Sequence, residues 1–432
     1  MQLRYNFRLY PTPGQCQALA RAFGCARVVF NDGLRARQDA HDAGLPYITD
    51  GDLSTRVITE AKTTPQRSWL GEVSAVVLQQ ALADLNIAYR NFFASVAGRR
   101  KGPRVAPPRF RSRKDSRQAI RFTKNARFSV TAGGKLRLPK IGDVDVRWSR
   151  RLPVEPSSVT VVKDSAGRYF ASFVVEVAEQ PLPLVEPEAG IDLGLSAFAV
   201  LSDGRKVDAP RFLRRAEKKL KKLQRVLSRK EKGSNNRAKA RQVVARQHAK
   251  VADARREFHH QLSTRLIRDN QAIYVEDLAV AGLARTRLAK SVHDAGWSAF
   301  VGMLEYKARL YGRGFQRVDR WFPSSKLCCE CGTAQEAMPL NVRSWTCPCG
   351  AAHDRDVNAA KNILAAGRAD RLNACRGQVR PPHRWHSPKK QEAAEVPRER
   401  AARAESPAFR PGSASSAAAG RLAQGGHRLG PP

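Results

Sequence analysis

The sequence is poor in acidic residues. It has 39 Asp and Glu against 77 Lys and Arg, which gives a formal net charge of +38. A charge of this size makes the chain repel itself, and a polyanionic partner relieves that repulsion. Nucleic acid is the first candidate for the partner, and a membrane surface is the weaker alternative.

Long apolar runs are also absent. No run of 18 or more apolar residues occurs, which excludes a membrane-spanning helix. The first residues, MQLRYNFRLYPTPGQ, lack the apolar core of a signal peptide. We therefore expect a cytoplasmic protein.

Cysteine is scarce and unevenly placed. The chain has 8 Cys, and most lie within one short segment, which favours metal binding in a reducing compartment over a disulfide framework. Cys328 and Cys331 form C-x-x-C, and Cys347 and Cys349 follow after a gap long enough for a hairpin. Two paired-cysteine knuckles predict a structural zinc site with four thiolate ligands.

The second knuckle departs from the usual spacing. It reads C-P-C, one residue shorter than C-x-x-C, and Cys329 adds a further thiol beside Cys328. His353 follows closely. The sequence leaves open whether Cys329 or His353 replaces one of the four ligands.

Three acids lie at the end of an apolar strand or the start of a helix. They are Asp192 in AGIDLGL, Glu276 in IYVEDL and Asp356 in HDRDVNAAKN. Three such carboxylates suit two Mg²⁺ ions about 4 Å apart, the arrangement that hydrolyses phosphodiesters. Their order along the chain is that expected of an RNase H-like nuclease. Gly190 and Gly194 flank Asp192, and we expect them to let metals and a nucleic-acid backbone approach closely.

Two neighbouring acids are alternatives. We favour Asp356 as the ligand and assign Asp354 to a helix cap or a supporting role. We favour Glu276 over Asp277 because Tyr274 and Glu276 share one face of the strand, whereas Asp277 begins the loop.

Two basic segments predict contacts with nucleic acid. The first is a connector rich in Gly, Pro and Arg, in which Phe110 and Phe122 are interleaved with basic residues. Aromatic and basic side chains together suit stacking and phosphate contacts, although a solvated loop is the alternative. The second is a long helical stretch from about 211 to 268, which GSNN splits into two helices. The candidate contact residues are Arg109, Arg111, Arg113, Lys114, Arg117, Lys218, Lys219, Lys221 and Lys222.

The remaining patterns indicate the organisation of the chain. The first ten residues and several later short strands predict a small antiparallel barrel, interrupted by an amphipathic helical segment. The segment PLPLVEPEAG predicts a hinge and a domain boundary near residue 185. Beyond about residue 367, Ala, Gly, Pro, Ser and Arg dominate and predict a disordered tail.

Several ordered motifs together resemble the TnpB proteins of insertion sequences, which are compact relatives of the type V CRISPR effector nucleases. The motifs are GIDLGL, YVEDL, HDAGW followed by MLEYKA, DRWFPSSK with its C-x-x-CG, and HDRDVNAAKNIL. The resemblance is close from about residue 188 to 366 and looser in the N-terminal half. It implies that Asp192, Glu276 and Asp356 are catalytic acids and that the four cysteines named above bind zinc.

The resemblance also implies an α/β nuclease domain of the RNase H-like (RuvC) type, with an inserted zinc ribbon, preceded by an antiparallel wedge-type β-barrel. The expected parts are the first barrel strand at 1–20, a helical recognition insert at 21–105, the rest of the barrel at 106–185, the nuclease domain at 186–323 with its basic insertion at 211–268, the zinc ribbon at 324–350, a last nuclease segment at 351–366 and the disordered basic tail at 367–432.

The implied activity is RNA-guided cleavage of DNA next to a short flanking motif. The implied partners are a guide RNA from the protein's own locus, target double-stranded DNA and its displaced single strand, with the protein acting as a monomer on the RNA. The alternative is a repressor-like protein of the same family that binds without cutting. An actin-like ATPase also opens with G-I-D-x-G, but the sequence has no second Gly-rich phosphate loop.

Overall fold

The computed structural model describes residues 1–115, 117–339 and 341–375. The predicted tail from residue 376 onward lies outside these ranges. Within them, every helix is too short or too polar to cross a membrane.

An antiparallel sheet is built around the N-terminal strand. In the described part of the chain its strands are β1 (Gln2–Tyr10), β2 (Gln118–Thr123), β3 (Ser129–Val130), β4 (Leu136–Leu138), β5 (Gly142–Arg147), β6 (Ser158–Lys163) and β7 (Tyr169–Glu176). Their order is β2-β6-β7-β1-β5-β4-β3, with β2 and β3 at the edges. The expected barrel is therefore a half-barrel sheet, and β1 lies near its centre.

Alternation along β1 explains how this sheet packs. Phe7 and Leu9 are buried on one face, and the ring of Phe7 lies 4.7 Å from that of Trp148 and 5.9 Å from that of Phe173. Arg4 and Arg8 lie on the opposite face because side chains alternate along a strand. The sheet thus has one apolar face and one basic face.

Helices fill the gap between β1 and β2. They are α1 (Pro13–Asp42), α2 (Asp50–Ser54) and α3 (Ala75–Val96). A capping box starts α1, since the Thr12 hydroxyl accepts the Gln15 N–H and the Gln15 side chain accepts the Thr12 N–H. The expected boundary between residues 20 and 21 is therefore wrong, because it falls inside α1.

A second, mixed sheet follows. Among the described residues its strands are β8 (Glu188–Asp192), β9 (Ala197–Leu201), β10 (Lys206–Asp208), β11 (Ala272–Glu276) and β12 (Gly314–Val318), in the order β10-β9-β8-β11-β12. Strands β8, β11 and β12 are parallel, whereas β9 and β10 run antiparallel to their neighbours. The carboxyl ends of the three parallel strands therefore meet at one edge.

Helices and a small hairpin complete this half. They are α4 (Phe212–Ser228), α5 (Asn235–Asp269), α6 (Val280–Leu283), α7 (Ala289–Ala295), α8 (Trp297–Leu310), the hairpin strands β13 (Ser344–Thr346) and β14 (Ala352–Asp354), and α9 (Arg355–Cys375). The expected split of the basic stretch into two helices is confirmed by α4 and α5. The expected end of the last helix at residue 366 is wrong, since α9 runs on to Cys375.

The proline-rich segment near residue 185 does not behave as a free hinge. Its Gln180 and Leu182 N–H groups donate to the carbonyls of Leu310 (2.7 Å) and Tyr311 (3.1 Å). The buried Arg313 donates to the Pro183 carbonyl at 2.8 Å. The segment is a strap held against the end of α8.

Helix α9 packs very closely on the second sheet. A Cβ on Gly190 would lie 2.1 Å from the Ala360 carbonyl oxygen, and one on Gly367 would lie 2.1 Å from a ring carbon of Tyr274. The expectation that Gly190 admits metals or nucleic acid is wrong, because α9 occupies that space. The close packing also explains why the helix extends past Gly367.

Substituting Gly190 tests this contact. Gly190→Ala places a methyl group against the backbone of α9, and overpacking of this kind costs about 1–3 kcal/mol or more. We expect a lower midpoint of thermal unfolding. Gly302→Ala is the control, because an added Cβ there meets nothing within 4 Å in helix α8. Equal midpoints for the two variants would contradict the packing described here.

Candidate active site and metal centre

The three predicted acids meet at one edge of the second sheet. Asp192 ends β8 and Glu276 ends β11, and the parallel pairing of Ile191 with Val275 places these two ends side by side. Asp356 lies in the first turn of α9, which crosses β8. The acids therefore come from three separate elements.

Asp192 is influenced by both of the other acids. Its pKa is raised to about 7, mainly by burial and also by the carboxylates of Asp356 and Glu276. Arg355 and Arg343 act in the opposite direction. Burial also raises the pKa of Glu276, with a contribution from Asp277. The negative charges of Asp356 and Glu276 thus both act on Asp192, and we call these three residues the acid cluster.

Arg343 is a site residue that the sequence did not reveal. Its guanidinium lies 3.3 Å from Asp356 Oδ1 and donates to Ser196 Oγ at 3.3 Å. It stands in an irregular segment with no periodicity and no motif, so local sequence carries no signal for it. The ion pair partly neutralises the acid cluster from the side of the cysteine-rich hairpin.

The two alternative acids have other partners. Asp354 Oδ1 accepts the N–H groups of Asp356 (3.1 Å) and Val357 (3.0 Å), so Asp354 caps α9 as expected. Asp277 pairs with Arg317 and Arg320. These contacts agree with the preference for Asp356 and Glu276, whose catalytic roles stay predictions.

The HDAGW motif anchors the basic helices. The buried Asp294 carboxylate accepts the Leu213 N–H at 2.9 Å, at the start of α4, and pairs with Arg255 of α5 at 3.2 Å. His259 Nε2 lies 2.9 Å from the Ala295 carbonyl. The motif therefore connects α4 and α5 to the segment that leads into α8.

The raised pKa of Asp192 predicts a pH-dependent cost to folding. Unfolding lets this carboxyl ionise near its ordinary pKa of 3.8, so stability falls as the pH rises from about 4 to about 7. Asp192→Asn removes that cost. Without added divalent ions, we expect the variant to be roughly 2 kcal/mol more stable than wild type at pH 8, allowing for solvent screening of this half-buried group, and equal to it near pH 4.

Urea denaturation at several pH values measures this difference. A difference that is the same at pH 4 and pH 8 would show that Asp192 does not titrate as described.

The four predicted zinc ligands converge. The sulfur atoms of Cys328, Cys331, Cys347 and Cys349 all lie within 4.8 Å of one another. Cys331 Sγ is 3.6 Å from Cys347 Sγ, and Cys328 Sγ is 3.8 Å from Cys349 Sγ. Sulfur atoms at the corners of a tetrahedron with 2.3 Å zinc bonds lie about 3.8 Å apart. The short C-P-C knuckle therefore still suits a zinc ion.

Cys329 and His353, the two alternative ligands, stand outside this arrangement. Neither Cys329 nor His353 belongs to the converging set. The Cys329 thiol lies 3.5 Å from Glu330 Oε1. His353 Nε2 lies 3.0 Å from Cys328 Sγ, where an N–H can donate to a thiolate. His353 thus supports a ligand rather than replacing one.

Two asparagines fasten the cysteine-rich segment to α9. Asn358 Nδ2 donates to the Leu327 carbonyl at 2.7 Å, and its Oδ1 accepts the Cys329 N–H at 2.9 Å. Asn362 Nδ2 donates to the carbonyls of Ser324 (2.8 Å) and Leu327 (2.6 Å). The motif D-x-N-A-A-x-N therefore positions one acid and the zinc-binding segment on the same helix.

The zinc content of cysteine variants tests whether Cys328 is a ligand and Cys329 is not. We expect wild type and Cys329→Ser to hold one zinc ion per chain, because serine at 329 removes no ligand. Cys328→Ser loses a ligand and should lose the zinc. Elemental analysis of the purified proteins measures this, and loss of zinc from Cys329→Ser would overturn the assignment.

A basic cavity lies on the open face of the half-barrel sheet. It has a volume of about 650 Å³ and is bordered by α3 as well as by strands of the sheet. Asp84 and Asp164 are its acidic lining residues. Its arginines are Arg4, Arg8, Arg111, Arg117, Arg121, Arg168 and Arg256. Arg8 is one that sequence reasoning missed, although the alternation in QLRYNFRLY was a signal for it.

The predicted contact residues of the connector have mixed surroundings. Arg111 pairs with Asp84 at 3.2 Å and lies 3.8 Å above the ring of Phe30, which ties the connector to α1 and α3. Phe122 is buried in β2, so its expected stacking role is wrong. Phe110 is exposed. The predicted contact residues of this segment that are exposed are Arg109, Arg113, Lys114 and Arg117.

The predicted contact residues of α4 are exposed. Lys218, Lys219, Lys221 and Lys222 lie on its surface, and Lys221 pairs with Glu217 at 3.1 Å. Leu220 faces inward and packs the helix. The helix therefore presents a basic face to solvent.

Comparison with known proteins identifies the family. Family models described as "Probable transposase", "Cas12f1-like, TNB domain" and "Helix-turn-helix domain" match residues 172–287, 297–363 and 1–45. A Streptomyces pristinaespiralis protein named "Putative RNA-guided DNA endonuclease" is 46% identical over 384 residues, 87% of this chain and 92% of that protein. The chain belongs to the TnpB family.

Other relatives agree with this TnpB assignment. The Escherichia coli K12 protein of the same printed name, with the suffix InsQ, is 32% identical and covers 84% of this TnpB chain and 92% of its own length. A solved Cas12f1–sgRNA–target DNA complex matches with a TM-score of 0.50 and 13% identity, over 81% of this chain and 82% of that one. That likeness shows the fold of this TnpB protein.

Proposed function

We propose that this TnpB-family protein is an RNA-guided DNA endonuclease that hydrolyses phosphodiester bonds with divalent metal ions. The observation that carries the proposal is the meeting of Asp192, Glu276 and Asp356 at one sheet edge. The strand order β10-β9-β8-β11-β12, with β8, β11 and β12 parallel, supports an RNase H-like (RuvC) nuclease domain.

The acid cluster suits Mg²⁺. Its donors are carboxylate oxygens, which Mg²⁺ prefers. Burial, and then the negative charges of Asp356 and Glu276, raise the pKa of Asp192, and a bound cation would relieve that cost. Asp192, Glu276 and Asp356 would hold two such ions. The bound ions would supply an activated water and stabilise the leaving oxygen.

The protein's own residues prepare this site. Asp354 holds the first turn of α9, and Asn358 ties that helix to the zinc-binding segment, so Asp356 has a fixed position. Arg343 pairs with Asp356 and offers a cation to an incoming phosphate once that pair opens. Zn²⁺ held by the four cysteines would keep Arg343 in place and has no role in the reaction.

The basic surfaces would bind RNA and DNA. The net charge of +38, the arginine-lined cavity and the exposed lysines of α4 suit phosphate contacts. We propose that the partners are a guide RNA from the protein's own locus, target double-stranded DNA and its displaced strand. Base pairing with the guide would select the target, while the helical insert and half-barrel would contact the short flanking motif.

The remaining expectations belong to the same proposal. The protein would act as a monomer on its RNA, in the cytoplasm and close to the nucleoid. Residues 13–105 would form the recognition insert, and residues 106–185 with β1 the wedge-type half-barrel. Residues 186–323 with α9 would form the nuclease domain, and residues 324–350 the zinc ribbon.

Plasmid cleavage tests the proposal. The protein is purified with RNA co-expressed from its own locus and given target plasmids with a randomised flank. We expect Mg²⁺-dependent cutting beside one short motif, and a loss of about 100-fold or more in Asp192→Asn. Even supporting residues of a metal site cost 10–100-fold, so a ligand costs at least that.

Asp354→Asn is the matched control, because asparagine caps a helix as well as aspartate does. It should cut at nearly the wild-type rate. RNA-dependent binding of the target by wild type without cutting would replace the proposal with the repressor-like alternative.

A further inference from the structure

A solvent-exposed tryptophan lies in the segment between β12 and the cysteine knuckles. Trp321 is 84% exposed, in a sequence whose neighbours are held in place. The backbone N–H of Trp321 donates to Asp319 Oδ1 at 2.7 Å, and Arg320 pairs with Asp277. The next residue, Phe322, packs inward on the cluster formed by Tyr274, Val318 and Ile363 and by other apolar side chains. The backbone is therefore fixed while the indole points into solvent.

This tryptophan lies at the edge that carries the acids. Val318 is the register partner of Glu276 on the parallel strands β12 and β11. Trp321 is three residues farther on, a distance of at most about 10 Å along an extended chain. The ion pair between Arg320 and Asp277 joins the two strand ends directly. The backbone of Trp321 therefore lies close to the strand end that carries Glu276, where a nucleotide strand would approach the acids.

The exposure of Trp321 does not arise from a flexible loop, because the residues on both sides of it have fixed contacts. Phe322 could not pack inward, nor Arg320 pair with Asp277, if the segment were turned to bury Trp321. A solvent-facing indole on a fixed backbone offers a flat apolar surface. Stacking of a nucleobase on such a surface tolerates any base, because every base has a π-face.

We propose that Trp321 is a positioning residue that stacks on an unpaired base of the DNA strand entering the acid cluster. Stacking would hold the adjacent phosphodiester over Asp192, Glu276 and Asp356. The inference rests on the proposed nuclease function, and it names the chemistry that orients the substrate: a single-stranded nucleotide recognised by its base plane.

Single-turnover cleavage of a guide-matched DNA duplex tests the proposal. We expect Trp321→Ala to cut about tenfold more slowly, the size of effect given by one lost base–aromatic stack, and Trp321→Phe to recover most of the rate. Leu184→Ala is the matched control, because Leu184 is 85% exposed on the strap, and it should cut at the wild-type rate. All variants should keep the wild-type midpoint of thermal unfolding.

Abasic nucleotides separate stacking from a structural role. Abasic sites placed around the cut position should slow wild type about tenfold and should slow Trp321→Ala no further, because the stack is already lost. Equal slowing of both proteins, or an unchanged rate in Trp321→Ala, would overturn the proposal. Weaker target capture by Trp321→Ala in an Asp192→Asn background would assign the indole to guide or target binding instead.

The outcome for wild type distinguishes the two proposals. If wild type cuts and Trp321→Ala cuts equally well, the nuclease function stands and the stacking role fails. If wild type does not cut at all, the nuclease function fails, and the positioning role fails with it.

Discussion

Helix α9 lies so close to the second sheet that two positions at the contact, one on the sheet and one on the helix, carry no side chain. Gly190 lies under Ala360, and Gly367 lies against Tyr274. This contact sets the height and direction of the helix, and other parts of the site follow from it. Asp356 is brought beside Asp192 at one end, and Arg368 and Arg371 pair with Glu188 toward the other. Asn358 and Asn362 on the same helix then fasten the cysteine-rich segment.

The acid cluster and the cysteine-rich segment are consequently positioned by the same helix, α9. Arg343 reaches from the cysteine-rich segment to Asp356, so a change in that segment alters the charge around the acids without touching them. The cluster is costly to fold, since ionised carboxylates that share a partly buried site repel one another. The close packing of α9 on the sheet offsets this unfavourable contribution to the folding free energy. A bound divalent cation would offset this repulsion, which is why the cluster suits the proposed metal ions.

Much of this arrangement was predictable from local sequence. Alternation placed Glu276 on its strand, and cysteine spacing found the four thiolates, because strands and knuckles repeat over a few residues. The family resemblance supplied the order of the parts. Long-range packing was not predictable in the same way. Arg343 lies in a segment with no periodic pattern or motif. Strand β2 lies within an arginine-rich connector, which does not resemble a strand. The last turns of α9 have the same composition as the tail that follows, so the sequence predicts them as tail. Each of these features depends on a partner far away in the chain.

The strap, which Leu310, Tyr311 and Arg313 hold at the end of α8, has a consequence for the spacing between the two sheets. It ties the end of the half-barrel to the end of α8, so the two halves cannot slide past each other without breaking these hydrogen bonds. If, as proposed, one half contacts the flanking motif and the other half cuts, the distance between these two points would be constant, as on a ruler. The cut would then fall at a fixed number of base pairs from the flanking motif.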